Sequence, residues 1–393
     1  MNNIAIKQGK EILFQINERI FIRLFDHTTV RRRSGYAGAL ASGSMSHSDF
    51  IMLARAAEVP YPLFLAQQSF VEEEITKFEK QVFYGVEKTQ LALATRGDVE
   101  LADISLILKD LTRKQGELKK HIATDNAYPN MYRRSKKSIA DRAEDLRTKL
   151  GYDHAVVASQ TKEQSFNYLR AALADNNVFV SMYMHNFCPQ IISPKLKFSG
   201  ICIKDNKCPY IFIRASDENS AVEPWGRRLF TLSLLLACMC NGKFGAVSMN
   251  GRSKDLISDD QYELTEEFLM PQTLLSKVNA NNLDDVEALA STYSVSPSAM
   301  VMRLHRLGEI DKDQKDGYLD TLTEKFDRVI SKKGGGKQPV VEKAISQYNS
   351  PKTVRIITDL VSSKNMSERD ARNLLYYKKG DSFDLGKIAE YGQ

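Results

Sequence analysis

Residues 227–240 read RRLFTLSLLLACMC and contain the longest apolar run of the sequence. Its apolar part runs from Leu229 to Cys240 and is interrupted only by Thr231 and Ser233. A bilayer crossing needs about 20 apolar residues, which is more than this run supplies. The sequence therefore predicts a helix that is buried in the core of a globular domain.

The flanks of this helix predict a small sheet and further helices. Three short apolar runs read as strands: VFVSMYMHNF (178–187), LKFSGICIK (196–204) and PYIFIRA (209–215). The turn KDNKCP (204–209) between the last two is typical of a hairpin. A helix, SDDQYELTEEFL, then ends before Met270-Pro271. This order predicts an α+β fold that is mostly helical, with a small antiparallel sheet.

The helix and its flanks resemble the ImmA/IrrE metallopeptidase family. The lead-in to that family's zinc motif is matched by six residues: Arg227, Arg228, Phe230, Thr231, Leu232 and Ser233. The spacers of the motif are matched by Leu236 and Ala237, and its preceding strand by residues 209–213. The resemblance implies a zincin-like (minimal gluzincin) core.

The residues that would hold zinc are absent from the matching positions. Two histidines four residues apart lie on one side of a helix and bind zinc, and the glutamate beside the first acts as general base. Here Leu234 and Cys238 align with the histidines, and Leu235 aligns with the glutamate. Leucine neither binds a metal nor transfers a proton, and one thiolate does not replace three ligands.

The family's third ligand is a glutamate that precedes a Leu-Met-Pro sequence, present here as residues 269–271. The aligned residue is Asp260, or Glu263 in a shifted register. No histidine lies between His185 and His305. The resemblance therefore implies no catalytic residue, no bound metal and no cofactor.

The resemblance extends beyond the zinc motif. The segment LASTYSVSPSAMVMRLHRLGEID (289–311) matches the family's post-motif segment, and residues 334–339 and 358–375 resemble its longer members' tail. Residues 283–308 also fit a helix-turn-helix, although a helical pair packed on the core is the commoner structure. The segment DFIMLARAAEVPYPLFL (49–65) resembles the last helix of the Xre-type domain found in longer members.

We predict four segments along the chain. Residues 1–70 form a helical N-terminal domain of degenerate Xre-like type, because Ile12, Leu13, Ile16, Ile20 and Leu24 recur at helical spacing. Residues 71–150 form a charged amphipathic helical region. Residues 151–330 form the pseudo-metallopeptidase domain, and residues 331–393 form a linker followed by C-terminal helices.

Composition and cysteine usage favour a cytoplasmic protein. The N-terminus lacks the apolar core of a signal peptide, and five cysteines in 393 residues do not suggest a disulfide framework. A zinc site made from Cys202, Cys208, Cys238 and Cys240 is disfavoured because their spacing fits no standard module.

Two basic runs are candidate nucleic-acid contacts. They comprise Arg31, Arg32, Arg33, Arg133, Arg134, Lys136 and Lys137. The net charge of +6 permits phosphate binding without demanding it. Such runs are more often solvated faces, and residues 26–45, rich in glycine and alanine, show no clear helix-turn-helix. The segment GYAGALASGSMS (35–46) reads as a small-residue loop.

Together these features predict an inactive ImmA/IrrE-like pseudo-protease. It would bind another protein, encoded nearby, as a regulatory component of a prophage, toxin–antitoxin or phage-defence system. The alternative is an Xre-like DNA-binding regulator or antitoxin. DNA and a second copy of the chain are further candidate partners, and a membrane is not. A hydrolase that uses Cys238 with Asp260 lacks a nearby base to activate the thiol.

Overall fold

The computed structural model describes most of the chain and divides it into two compact units. Described are residues 3–26, 29–83, 104–192, 198–214, 223–248, 259–276, 278, 280–330, 340–375 and 384–391. The first unit contains Met1–Lys114 and Pro189–Leu196, and the second contains Gln115–Cys188 and Lys197–Gln393. The predicted region 71–150 contributes to both units, and the predicted linker at 332–339 lies outside the described residues.

The first unit begins with a small sheet. Its strands are β1 (Asn3–Gln8), β2 (Glu11–Asn17) and β3 (Ser44–Ser46), in the order β2-β1-β3. Strands β1 and β2 form an antiparallel hairpin around Gly9, whose φ of +64° suits a glycine turn. Strand β3 lies parallel to β1.

Two predictions for residues 1–70 are wrong, one of a helix and one of a loop. Residues Ile12, Leu13 and Ile16 lie in β2, because Ile16 pairs with the buried Ile4 across the hairpin. Only Ile20 and Leu24 of the proposed series are helical. Conversely, the predicted small-residue loop contains a helix at Ser34–Ser42, which ends at Gly43 in the left-handed conformation.

Five helices complete the description of the first unit. They are α1 (Glu18–Phe25), α2 (Ser34–Ser42), α3 (His47–Ala56), α4 (Gln68–Phe83) and α5 (Ser105–Leu118), which continues into the second unit. Short 3-10 turns lie at Thr29–Arg32, Tyr61–Leu65 and Lys119–His121. The core of the unit is aromatic: Phe25 and Phe50 both pack on Phe64, with ring centroids 4.9 and 5.0 Å away.

The second unit is built on a mixed four-stranded sheet. Its strands are β4 (Phe179–Met182), β5 (Phe198–Ile203), β6 (Tyr210–Ile213) and β7 (Ala246–Ser248), in the order β4-β6-β5-β7. The predicted β5–β6 hairpin is confirmed. The sheet is not purely antiparallel, however, because β4 pairs with the far side of β6 in parallel.

Thirteen helices are described in the second unit. They are α6 (Ile139–Leu150), α7 (His154–Ala158), α8 (Lys162–Asp175), α9 (Trp225–Cys240), α10 (Asp259–Leu269), α11 (Gln272–Leu275), α12 (Leu283–Thr292), α13 (Pro297–Leu307), α14 (Lys312–Ile330), α15 (Val341–Asn349), α16 (Pro351–Ser362), α17 (Glu368–Leu375) and α18 (Leu385–Glu390). None of the described helices is both long and apolar enough to cross a membrane.

Both faces of the sheet are covered by helices. One face carries Cys202, Ile211 and Ile213, which share a core with α8 and α9. The other carries Tyr210, which stacks on Phe179 and hydrogen-bonds Thr353 of α16 at 2.8 Å. The sheet is thus a buried middle layer, and α9 lies directly against it.

The helix pair α12–α13 packs on the same core as α9. Val286, Met300 and Leu304 are buried members of that core. The backbone of Val295 in the connecting turn approaches Gly226 so closely that a Cβ there would lie 2.5 Å from the Val295 carbonyl carbon. The pair is therefore a packed helical hairpin, the commoner of the two predicted structures.

Candidate functional site

Helix α9, Trp225–Cys240, contains the residues that the sequence comparison aligns with the zinc motif and will be called the motif helix. It begins after Pro224, whose fixed φ suits a helix start, and ends at Asn241. The last carbonyls of the helix accept hydrogen bonds from a neighbouring loop: Asn130 N–H donates to Met239 O at 3.0 Å and Tyr132 N–H to Cys240 O at 2.7 Å. These bonds satisfy orphan acceptors at the buried helix end.

The three positions that align with the zinc motif are buried in the core. Leu234 is 2% exposed, Leu235 is 0% and Cys238 is 4%. Leu235 faces the sheet at Gly200, where an added Cβ would lie 2.8 Å from Leu235 Cδ1. The leucine therefore fills space that a side chain at position 200 would otherwise need.

The thiol of Cys238 is poorly suited to act as a ligand or nucleophile. Burial raises its pKa well above the ordinary value, and the neighbouring Cys202 and Cys240 raise it further. Burial likewise raises the pKa of Cys202 to about 12. A reactive cysteine needs a lowered pKa, so this environment opposes the hydrolase hypothesis that pairs Cys238 with Asp260.

The carboxylates proposed as third ligand are both held by arginines. The two oxygens of Asp260 accept from Arg142 at 2.6 and 3.1 Å, and Arg142 also reaches Asn241 Oδ1 at 3.3 Å. Glu263 pairs with Arg306 at 3.0 Å. The two-point pairing of Arg142 with Asp260 is the strong form of carboxylate recognition by arginine.

Further acidic residues of α10 are paired in the same way. Glu266 lies 3.0 Å from Arg306, and Glu267 forms a short contact with the buried Arg303. Arg303 also donates to Met270 O at 3.0 Å. Sequence reasoning missed this network, although the signal was present in the acidic face of α10 and the Arg303-x-x-Arg306 spacing on α13.

A second polar cluster lies at the start of the motif helix. Glu223 is 3% exposed and accepts from Ser199 at 3.0 Å, and its carboxylate lies 3.1 Å from Arg227. Burial raises the pKa of Glu223, although Arg227 and Ser199 oppose the shift. The Arg228 guanidinium lies over the Trp225 ring, 4.3 Å from its centroid. Arg227 and Arg228, matched only as a family lead-in, therefore have structural partners.

The described residues contain no group of three or more His, Cys, Asp or Glu side chains arranged to hold a metal ion. All five cysteines are free thiols. The four cysteines considered as a zinc module therefore form no such group. The backbone carbonyl of Cys208 accepts a hydrogen bond from the Gln115 side chain at 2.8 Å.

The predicted nucleic-acid contacts are divided between the two units. In the first, Arg31 and Arg32 fall in a 3-10 turn and Arg33 precedes α2 with an exposed side chain. In the second, Arg133, Arg134, Lys136 and Lys137 are exposed. A basic run directly after the Pro129-Asn130 turn suggests the start of a helix, but these residues lie in the turn before α6, which begins after Ser138.

No family model, no curated protein and no solved structure matches this chain. Its affiliation with the ImmA/IrrE family therefore stays a prediction from the residues quoted above.

Proposed function

We propose that the chain is a catalytically inactive, ImmA/IrrE-like pseudo-metallopeptidase that binds another protein. It would act as a regulatory component of a prophage, toxin–antitoxin or phage-defence system. The observation that carries this proposal is the packing of Leu235 on Gly200, because an apolar side chain packed against the sheet contributes to stability and supplies no group that could transfer a proton. The arginine pairs on Asp260 and Glu263 support the same interpretation.

Exposed apolar side chains support binding to a protein. Large apolar residues of the first unit that are about half exposed are Ile12, Met52, Tyr61, Leu65, Phe70 and Ile191. Strand β2 packs against the Tyr61–Leu65 turn, so part of this set comes from neighbouring elements. A concentration of exposed apolar residues is typical of a protein-binding region.

The DNA-regulator alternative gains less support from the first unit. A recognition helix presents polar side chains to base edges. The exposed positions of α2 are small residues, among them Ala37 and Gly38, whereas α3 exposes Ser48, Asp49 and Arg55 together with Met52. The small residues of α2 offer no side-chain donors to base edges, and the Asp49 carboxylate opposes the approach of phosphates.

Co-expression with each neighbouring gene product tests the proposal. We expect one of them to co-purify with the chain and the complex to be lost with Met52→Lys and Leu65→Lys. The matched control is Leu274→Lys, which changes a comparably exposed leucine of the second unit. Zinc-dependent peptidase activity of the purified chain, or equal loss of the complex with the control, would contradict the proposal.

A further inference from the structure

Three loops of the second unit meet at the C-terminal end of the motif helix. The loop before α6 contacts the helix end through Asn130 and Tyr132, as described above. The same loop region joins the β5–β6 turn, since Asn126 N–H donates to Asn206 O at 2.5 Å and Lys207 Nζ donates to Ile122 O at 3.0 Å.

The turn after the motif helix completes the assembly. In this turn Lys243 O accepts from Cys202 Sγ of β5 at 3.3 Å. Lys204 of the β5–β6 turn lies 5.9 Å from the centroid of the Phe244 ring. A Cβ at Gly242 would lie 3.2 Å from Arg133 Cδ. Segments far apart in sequence are thus neighbours in space.

The loops carry an excess of exposed cations, which will be called the basic surface. It consists of Arg133, Arg134, Lys136, Lys204 and Lys243, all of them exposed. Among the described residues, no carboxylate lies within ion-pair distance of these five. Other cations nearby are paired: Lys119 with Asp205, Lys120 with Glu117, and Lys137 with Asp145.

Neutralising the helix end does not account for this charge. Cations near the C-terminus of a helix stabilise its negative end when they lie close to its carbonyls. Here the last carbonyls are bonded by backbone N–H groups of Asn130, Tyr132 and Lys243, whereas the five side chains are exposed to solvent. The charge is therefore available to an external anion.

We propose that the basic surface binds the phosphate backbone of a nucleic-acid duplex without reading its sequence. Arginine and lysine are the usual partners of backbone phosphates. The loops' aromatic residues Tyr128, Tyr132 and Phe244 are buried, so no stacking platform for single strands is exposed there. None of the exposed large apolar residues lies in these loops, which disfavours insertion into a membrane.

This inference is independent of the proposed function. It rests on charge in the second unit, whereas the proposed protein partner is assigned to the first. A failure of duplex binding would leave the co-purification result untouched, and the converse also holds.

The test is fluorescence anisotropy of a labelled random-sequence DNA duplex with the full chain at several salt concentrations. Five phosphate contacts predict an affinity loss of about 500-fold between about 50 and 200 mM salt. The variant Arg133→Ala/Arg134→Ala/Lys136→Ala is expected to bind at least about tenfold more weakly at low salt, with a shallower salt dependence. A second variant, Lys204→Ala/Lys243→Ala, tests the other loops.

The matched control removes three exposed charges elsewhere in the second unit, Lys312→Ala/Lys325→Ala/Arg369→Ala. Circular dichroism checks that each variant is folded. The proposal is overturned if wild type does not bind, if the control loses as much affinity as the loop variants, or if a single strand or an anionic phosphatidylserine vesicle binds more tightly than the duplex.

Discussion

Leu235 of the motif helix lies so close to Gly200 of β5 that a Cβ on the glycine would be 2.8 Å from Leu235 Cδ1 and 2.7 Å from Phe212 O. The contact joins the motif helix to the sheet at Leu235, the position that the sequence resemblance pairs with a catalytic glutamate. It accounts for a glycine within an otherwise apolar strand, where glycine usually weakens pairing.

The variant Gly200→Ala is expected to lower the free energy of unfolding by about 1–3 kcal/mol, because the added carbon meets a backbone oxygen that cannot rotate away. Urea denaturation measures the loss. The matched control is Gly116→Ala in α5, where a Cβ meets nothing within 4 Å. The control should be neutral or stabilising by up to about 1 kcal/mol. Equal stability of both variants would contradict the packing described for Leu235.

Introducing the His-Glu-x-x-His motif into the motif helix should not create a zinc site. The triple variant Leu234→His/Leu235→Glu/Cys238→His places a carboxylate at a fully buried position of the motif helix that faces the sheet. An unpaired buried polar group costs several kcal/mol, so we expect a strongly destabilised protein without stoichiometric zinc. Leu235→Met should cost less than about 1.5 kcal/mol. Metal analysis after gel filtration decides the matter, and a folded variant with one zinc per chain would refute the expectation.

The predictions were correct where the sequence pattern fits only one type of secondary structure. The motif helix and the β5–β6 hairpin were predicted correctly, because the first is a long apolar run and the second has a clear turn between two apolar runs. The N-terminal hairpin was missed because Ile12, Ile16 and Ile20 also fit helical spacing, and pairing with a distant strand decides between the two.

From the sequence, the site could be described only by the residue types at positions 234, 235, 238 and 260. Which residue covers Gly200, and which arginine holds Asp260, depends on contacts between segments separated by tens of residues or more. The sequence showed part of the basic surface as the run of basic residues at 133–137. Its other members, Lys204 and Lys243, are isolated in sequence and join the run only through the three-loop contact.

The Arg142–Asp260 pair is expected to stabilise the fold. In Asp260→Asn the buried Arg142 guanidinium loses its charged partner, so we predict a loss of about 1–3 kcal/mol in the free energy of unfolding. The matched comparison is Glu263→Gln, since the Glu263–Arg306 pair is about one-third exposed on both sides. Solvent screening should keep that loss below about 1 kcal/mol. Denaturation at low and at high salt measures both losses in the free energy of unfolding. Equal losses for Asp260→Asn and Glu263→Gln would contradict the expected effect of burial.

His154 should make stability depend on pH in the mildly acidic range. Its ring packs edge-on against Tyr152 and Tyr293, with centroids 5.4 and 5.9 Å away. Burial and, to a lesser extent, Arg147 together lower the pKa of His154 to about 4, whereas the Phe268 backbone, Asp153 and Glu144 oppose the shift. The folded protein therefore holds a neutral histidine, whereas the unfolded chain takes up a proton near the ordinary pKa of about 6.5.

This depressed pKa contributes stability that is present above about pH 6.5 and lost as pH falls towards 4, amounting to at most about 3 kcal/mol. The variant His154→Phe keeps an aromatic ring in the cluster and removes the titration. Its stability relative to wild type should therefore improve steadily as pH falls from 7 to 4. His185→Phe, which removes another histidine of the same unit, controls for the loss of an imidazole. A constant difference between wild type and His154→Phe across this range would show that His154 is already protonated or solvated in the folded state.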